Sequence, residues 1–179
     1  MTLEEMKQKV YSLIEEYNDE AEDLTEDEDL ALKMNSVINQ IQNELIRYKK
    51  IPAIKQLEVS EGQTILLADI DKNIYQLEKV TGVDTNIILN EVTFNEDGIA
   101  KIYYYKYPNH IDADTEDDYI FELSNDVLEI MPYGVAADLL KSDVSSQYGE
   151  VYARRYKEML SMLDGRLGTG IVYIDGGID

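Results

Sequence analysis

The chain has 179 residues, 44% of them hydrophobic, with 37 acids against 16 Lys and Arg, one His and no Cys. The hydrophobic share is enough for a sizeable core, and the absence of cysteine excludes a disulfide framework, a thiolate nucleophile and a cysteine zinc site. A net charge of −21 argues against a sequence-reading nucleic-acid binder, which needs a basic face against phosphate.

The charge is uneven. Residues 1–30 hold 12 acids against 2 Lys, and residues 59–123 hold 14 acids against 4 Lys, whereas residues 31–58 carry a net +3. No apolar run approaches the roughly 20 residues of a bilayer span, and the opening MTLEEMKQK has no signal-peptide pattern, so a non-exported chain outside membranes is expected.

From the N-terminus, Leu3, Met6, Val10, Leu13, Ile14 and Tyr17 recur at three and four residues, which predicts an amphipathic helix. The acidic run NDEAEDLTEDED follows, and Thr25 with Glu28 has the spacing of a capping box. A second helix is expected from there through Leu30, Met34, Val37, Ile38, Ile41, Leu45 and Ile46, stopping before Pro52, with Arg47, Lys49 and Lys50 favourably placed at its C-terminal dipole. The two read as an antiparallel helical hairpin over residues 1–53.

After Pro52 the texture becomes β-rich: IKQLEV, QTILLADI, IYQLEKV, TNIILNEVTF, IAKIYYYKY and DYIFEL predict five to seven strands over residues 54–123. Asn95-Glu96-Asp97-Gly98 predicts a tight hairpin between the fourth and fifth of these runs. Helix is expected again from Ser124, a plausible N-cap, through Val127, Leu128, Ile130, Met131, Val135, Leu139 and Leu140, kinked or divided at Pro132. After SDVSSQYG a last helix places Val151, Tyr152, Tyr156, Met159, Leu160 and Leu163 inward and ends near Asp164-Gly165. The glycine-rich remainder, residues 165–179, reads as an arm whose β-prone Ile171–Ile174 can add a strand to a neighbour. The fold class expected is α+β: a helical bundle from the N- and C-terminal helices, with the helices of 124–164 packing on the hairpin, around an inserted antiparallel β-sandwich or curled sheet.

Candidate chemistry is sparse. His110 is alone in a polar loop, so neither a serine triad using His nor a histidine-rich metal site can be assembled. Asp112, Asp114, Glu116, Asp117 and Asp118 alternate like the oxygen ligands of a calcium loop, but Asp117 stands where that loop needs Gly and Leu123 where it needs a bidentate Glu. GRLGTG lacks the Gly-Lys-Ser/Thr ending of a phosphate cradle and does not join a strand to a helix. Tyr103, Tyr104, Tyr105 and Tyr107 can form a stacking platform, although alternation divides them between two sheet faces. Arg154 and Arg155 are too few for a DNA site. No catalytic residue, metal ligand or cofactor is assigned, and no enzyme activity is expected.

The order of elements adds what single motifs do not. The stretch from FELSNDVLEIMPYGVAADLL to YGEVYARRYKEMLSML, carried by Leu123, Ser124, Pro132, Tyr133, Val135, Ala136, Ala137, Leu139, Leu140, Tyr148, Tyr152, Arg155, Tyr156 and Leu160, resembles the helical signature of tailed-bacteriophage head-tail connector (neck adaptor) proteins. The likeness covers the helical parts of the chain, and the β insertion departs from the smallest all-helical adaptors. It implies a virion structural protein, made in the bacterial host cytoplasm during phage or prophage assembly, that forms a ring with its own copies and binds portal and tail or stopper proteins. It also implies docking through the arm, with Leu167, Ile171, Val172, Tyr173 and Ile174 as the docking residues. In such a ring Asp19, Glu20, Glu22, Asp23, Glu26 and Asp27 are candidates for a negative lumen that lets DNA pass without specific binding. Two rival readings are a DNA-mimicking inhibitor that fills a basic protein groove and an enzyme working through carboxylates and a metal.

Overall fold

The computed structural model describes residues 1–15, 28–141 and 147–167. The chain is α+β, with helices at both ends of the sequence and antiparallel sheets between them. Helix α1 spans Leu3–Glu15 and α2 spans Glu28–Leu45. The strands are β1 (Ile51–Val59), β2 (Thr64–Leu66), β3 (Ile74–Thr81), β4 (Thr85–Ile88), β5 (Glu91–Phe94) and β6 (Gly98–Lys106), with the one-turn helix α3 (Leu67–Ile70) after β2. Three helices follow: α4 (Asn125–Leu128), α5 (Met131–Leu140) and α6 (Gln147–Leu167).

α1 is started by a capping box of Thr2 and Glu5. The Thr2 hydroxyl accepts from the Glu5 N–H at 3.1 Å, and Glu5 Oε2 accepts from the Thr2 N–H at 2.9 Å, which satisfies two donors that a helix start leaves open. Thr25 lies outside the described residues. Leu3, Met6, Val10 and Ile14 are buried on one stripe, as are Met34, Ile38, Ile41 and Leu45 on α2. These stripes meet α5 and α6 in one apolar cluster with Val127, Met131, Val135, Tyr156 and Leu160. The expected hairpin is nevertheless not two helices packed chiefly on each other, because α1 and α2 both lie against α5, which also contacts α6.

Pro132 divides its run as anticipated. α4 stops at Leu128 and α5 starts at Met131 with the proline in its first turn, where the missing N–H has no helical acceptor to lose. Ser124 holds the N-cap position of α4 with extended backbone but makes no capping bond through its side chain. α6 continues to Leu167, beyond the expected end near Asp164-Gly165.

The strands form two three-stranded antiparallel sheets, ordered β1-β6-β3 and β2-β5-β4. The predicted hairpin at Asn95–Gly98 is not formed. β5 and β6 follow one another in sequence but occupy the centres of different sheets, and the turn carries the chain across the corner between them. The reason lies in the lengths: β1 matches all nine residues of β6, from Ile51 opposite Lys106 to Val59 opposite Gly98, whereas β5 offers four. The corner is tied by Asp84, which accepts from the Asn95 N–H at 2.9 Å through its carbonyl and from Asn95 Nδ2 at 2.8 Å through its carboxylate. Gly82 is required beside it. Its φ is +94°, and a Cβ there would meet the Ile99 carbonyl oxygen at 2.4 Å.

Three further runs differ from expectation. QTILLADI is strand only through Leu66, after which Leu67 and Ile70, three apart, bury together as one helical turn beneath Phe94, Ile102 and Tyr104. TNIILNEVTF is two strands, β4 and β5, joined at Leu89-Asn90. DYIFEL forms no strand and meets the N-terminus in a single bridge between Thr2 and Ile120. Its Phe121 and Leu123, like Ile111, join the helical core and not the β core.

Candidate functional site

Of the fourteen residues on which the resemblance rests, seven share one core, whereas Tyr148 and Arg155 are exposed. Leu123, Val135, Ala136, Ala137, Tyr152, Tyr156 and Leu160 are buried in the helical cluster. Gly134 lets α5 approach α6 closely, since a Cβ there would lie 2.8 Å from Tyr156 Cε2. The Arg155 guanidinium sits 4.7 Å from the centre of the Tyr133 ring. Burial pushes the Tyr156 hydroxyl well above the ordinary phenol range and the charge of Glu44 adds to it, so this group stays protonated and neutral. It borders a groove of about 600 Å³ between α2, α5 and α6, floored by Ile41, Ala137 and Ala153 and rimmed by Lys141, Glu150 and Lys157.

Of the docking residues taken from the resemblance, Leu167 is the last residue of α6; Ile171, Val172, Tyr173 and Ile174 lie outside the described residues. The lumen candidates Asp19, Glu20, Glu22, Asp23, Glu26 and Asp27 lie outside them as well. Gly165 and Arg166 of GRLGTG belong to α6, so the string does not follow a strand.

A second region, a cleft of about 450 Å³, lies between α2 and the β region and is lined by Gln42, Arg47, Tyr75, Tyr107 and His110 among others. His110 is exposed there. Beside it a polar stripe on α2, missed in the sequence, clamps the 108–118 loop. Asn39, buried, donates from Nδ2 to the Ile111 carbonyl at 2.7 Å and accepts the Ile111 N–H on Oδ1 at 2.9 Å, as a neighbouring strand would. Asn35 Nδ2 donates to the Asp112 carbonyl at 3.1 Å, and Gln42 Nε2 donates to Asn39 Oδ1 at 3.3 Å. The spacing 35, 39, 42 was the available signal, because it repeats at four and three like the apolar stripe beside it.

The acidic loop closes on itself. Asp112 Oδ1 accepts from the Asp114 N–H at 3.1 Å and the Thr115 hydroxyl at 2.9 Å, while Asp117 takes Lys7 at 2.8 Å. Among the described residues no group of three or more His, Asp or Glu is placed to hold a metal. The tyrosines divide as alternation requires. Tyr104 is buried and donates to Asp71 Oδ2 at 2.9 Å, and burial followed by that bond raises its pKa to about 12. Tyr103 and Tyr105 are half-buried on the opposite face, with the ammonium groups of Lys79 and Lys50 each 4.9 Å from a ring centre.

One backbone outlier was not legible in the sequence. Leu89, at the β4–β5 turn, has φ +54° and is 91% exposed next to exposed Ile87 and Ile88. A left-handed leucine costs roughly 1–2 kcal/mol, and no burial offsets it here. Among the described residues no helix is long and apolar enough to cross a membrane. No protein-family model matches the chain, and no curated protein matches it as a relative.

Proposed function

We propose that the chain is a structural assembly protein of a tailed-phage or prophage particle, forming a ring at the head-tail connector and docking on the portal through the arm after α6. Its partners are copies of itself, the portal protein and a tail or stopper protein. It works in the virion, is assembled in the host cytoplasm, and performs no catalysis.

The observation that carries this reading is the packing of seven of the connector-like residues into one unit. Leu123, Val135, Ala136, Ala137, Tyr152, Tyr156 and Leu160 are spread over nearly forty positions of sequence and are buried together, so the shared pattern is that of a core. α6 leads from that core to Leu167, from which the arm proceeds. Exposed aliphatic side chains add support. Ile87, Ile88 and Leu89 are consecutive and 45%, 61% and 91% exposed, and an apolar cluster that stays uncovered in the single subunit suits one that makes a contact there.

Co-sedimentation with portal rings tests the docking. The full chain is expected to sediment with the portal, and a chain ending at Leu167, or carrying Ile171→Asp with Tyr173→Asp, is expected to remain in the supernatant with an unchanged circular dichroism spectrum. Undiminished binding of both variants contradicts arm docking. The lumen role of the acids at 19–27 predicts altered DNA retention and release when they are neutralised in assembled particles, and unchanged behaviour counts against it.

A further inference from the structure

The outward face of the β1-β6-β3 sheet has an unusual surface for a sheet side left to solvent, which is ordinarily polar. The pairing register places Ile54 beside Tyr103, Pro52 beside Tyr105 and Gln56 beside Lys101 on one side, and Lys79 beside Tyr103 and Gln76 beside Tyr105 on the other. Ile54 and Ile99 are more than half exposed. Lys50 and Lys79 lie over tyrosine rings, and Lys50, Lys79 and Lys101 form no ion pair among the described residues. Two carboxylates stand on these three strands, Glu58 opposite Ile99 and exposed Glu78 at the register shift beside Lys79. A chain of net charge −21 thus keeps a cationic, aromatic and aliphatic face uncovered.

The opposite pattern stands elsewhere on the same chain. Asp112, Asp114, Glu116, Asp117 and Asp118 are all exposed, and Ile120, 69% exposed, follows them. Among the described residues Lys7 pairs with Asp117 alone. The loop is shaped before it meets anything, by the Asp112 turn and the Asn39 clamp on Ile111, so little ordering opposes its binding. It is also anchored to α1 and α2, through the Glu4 N–H on the Asp117 carbonyl at 3.0 Å and through Asn35 and Asn39.

We propose that the lysine and tyrosine face of the β1-β6-β3 sheet is the seat of the Asp112–Ile120 loop of a second copy of this chain. Acids meet Lys79 and Lys101, and Ile120 lies on Ile54 beside Tyr103. The two surfaces are different patches of one molecule, so the contact is head-to-tail, and such contacts generate rings when the rotation closes. The proposal rests on the assembly reading and names the surfaces that join its subunits.

Charge exchange on the full chain tests it, with self-association measured by sedimentation velocity at low and high salt. The parent is expected to associate, and more weakly at high salt. Lys79→Glu with Lys101→Glu, and separately Asp114→Lys with Glu116→Lys, are each expected to weaken association about tenfold or more, and all four changes in one chain to return it to within about threefold of the parent. Lys33→Glu with Arg154→Glu, exposed cations off this face, controls for net charge and is expected to leave association unchanged. All substituted side chains are exposed, so circular dichroism is expected to match the parent. Association untouched by the reversals, or no recovery on combining them, overturns the proposal while leaving the assembly reading in place. A chain that neither self-associates nor binds portal rings overturns both.

Discussion

Replacing Asn39 by Ala tests whether the polar stripe of α2 holds the 108–118 loop. The change removes the donor to the Ile111 carbonyl at 2.7 Å, the acceptor for the Ile111 N–H at 2.9 Å and the acceptor for Gln42 at 3.3 Å. Ile111 is 1% exposed, and each buried backbone group left without a partner costs about 1–3 kcal/mol. The neighbouring cleft, which Asn39 itself lines, admits water to part of the gap, and Ala favours the helix by roughly half a kcal/mol. The expected loss is therefore about 3 kcal/mol. With a urea slope of about 2 kcal/mol/M, the unfolding midpoint falls by about 1.5 M. Asn39→Asp keeps the acceptor but turns a carboxylate toward the Ile111 carbonyl. Its loss at neutral pH is expected to be comparable and to shrink as acid protonates the carboxyl and restores a donor. An Asn39→Ala midpoint within about 0.3 M of the parent, or an Asn39→Asp deficit that grows in acid, refutes the clamp.

Three further outcomes follow from single contacts. Tyr104 has a folded pKa of about 12 against an ordinary value of 10.0, so its contribution is full below pH 10 and declines as pH rises through 12. Tyr104→Phe is expected to cost about 1–2 kcal/mol at pH 8, and its difference from the parent to narrow by about 1 kcal/mol between pH 10 and 11, as read from urea midpoints. Leu89→Asn relieves a left-handed backbone at a 91% exposed site and is expected to stabilise the isolated chain by about 1 kcal/mol; a loss of stability in thermal melts contradicts the strain. Gly134→Ala forces a methyl group against Tyr156 and is expected to destabilise by about 1–2 kcal/mol despite its better helix propensity, whereas an unchanged melt refutes the close α5–α6 approach.

The sequence made the helices legible because their signal is local. Met6, Val10 and Ile14, or Met34, Ile38, Ile41 and Leu45, repeat at the helical period and are buried, and Pro132 marks its own break. Strand identity was legible in β1, β3 and β6 for the same reason. Strand pairing was not, since a glycine at position 98 specifies a change of direction and says nothing of which strand lies beside β6. The β5–β6 hairpin failed there, because β1 competes for the same edge with a nine-residue match. In LLADI, Leu67 and Ile70 bear a helical spacing that β-branched neighbours disguised. Asn35, Asn39 and Gln42 read as the solvated side of an amphipathic helix, and only the fold brings Ile111 to them. The acidic loop was legible as a cluster of carboxylates, but not what it lies against. The arm and lumen residues from Asp19 to Asp27 and from Ile171 to Ile174 lie outside the described residues.

The most direct test of the assembly reading is the mass of the complexes that the full chain forms with portal rings, measured by native mass spectrometry over a range of concentrations. The account predicts one discrete complex in which a fixed number of copies closes around each portal. Free portal beside unassembled chain at every concentration contradicts it.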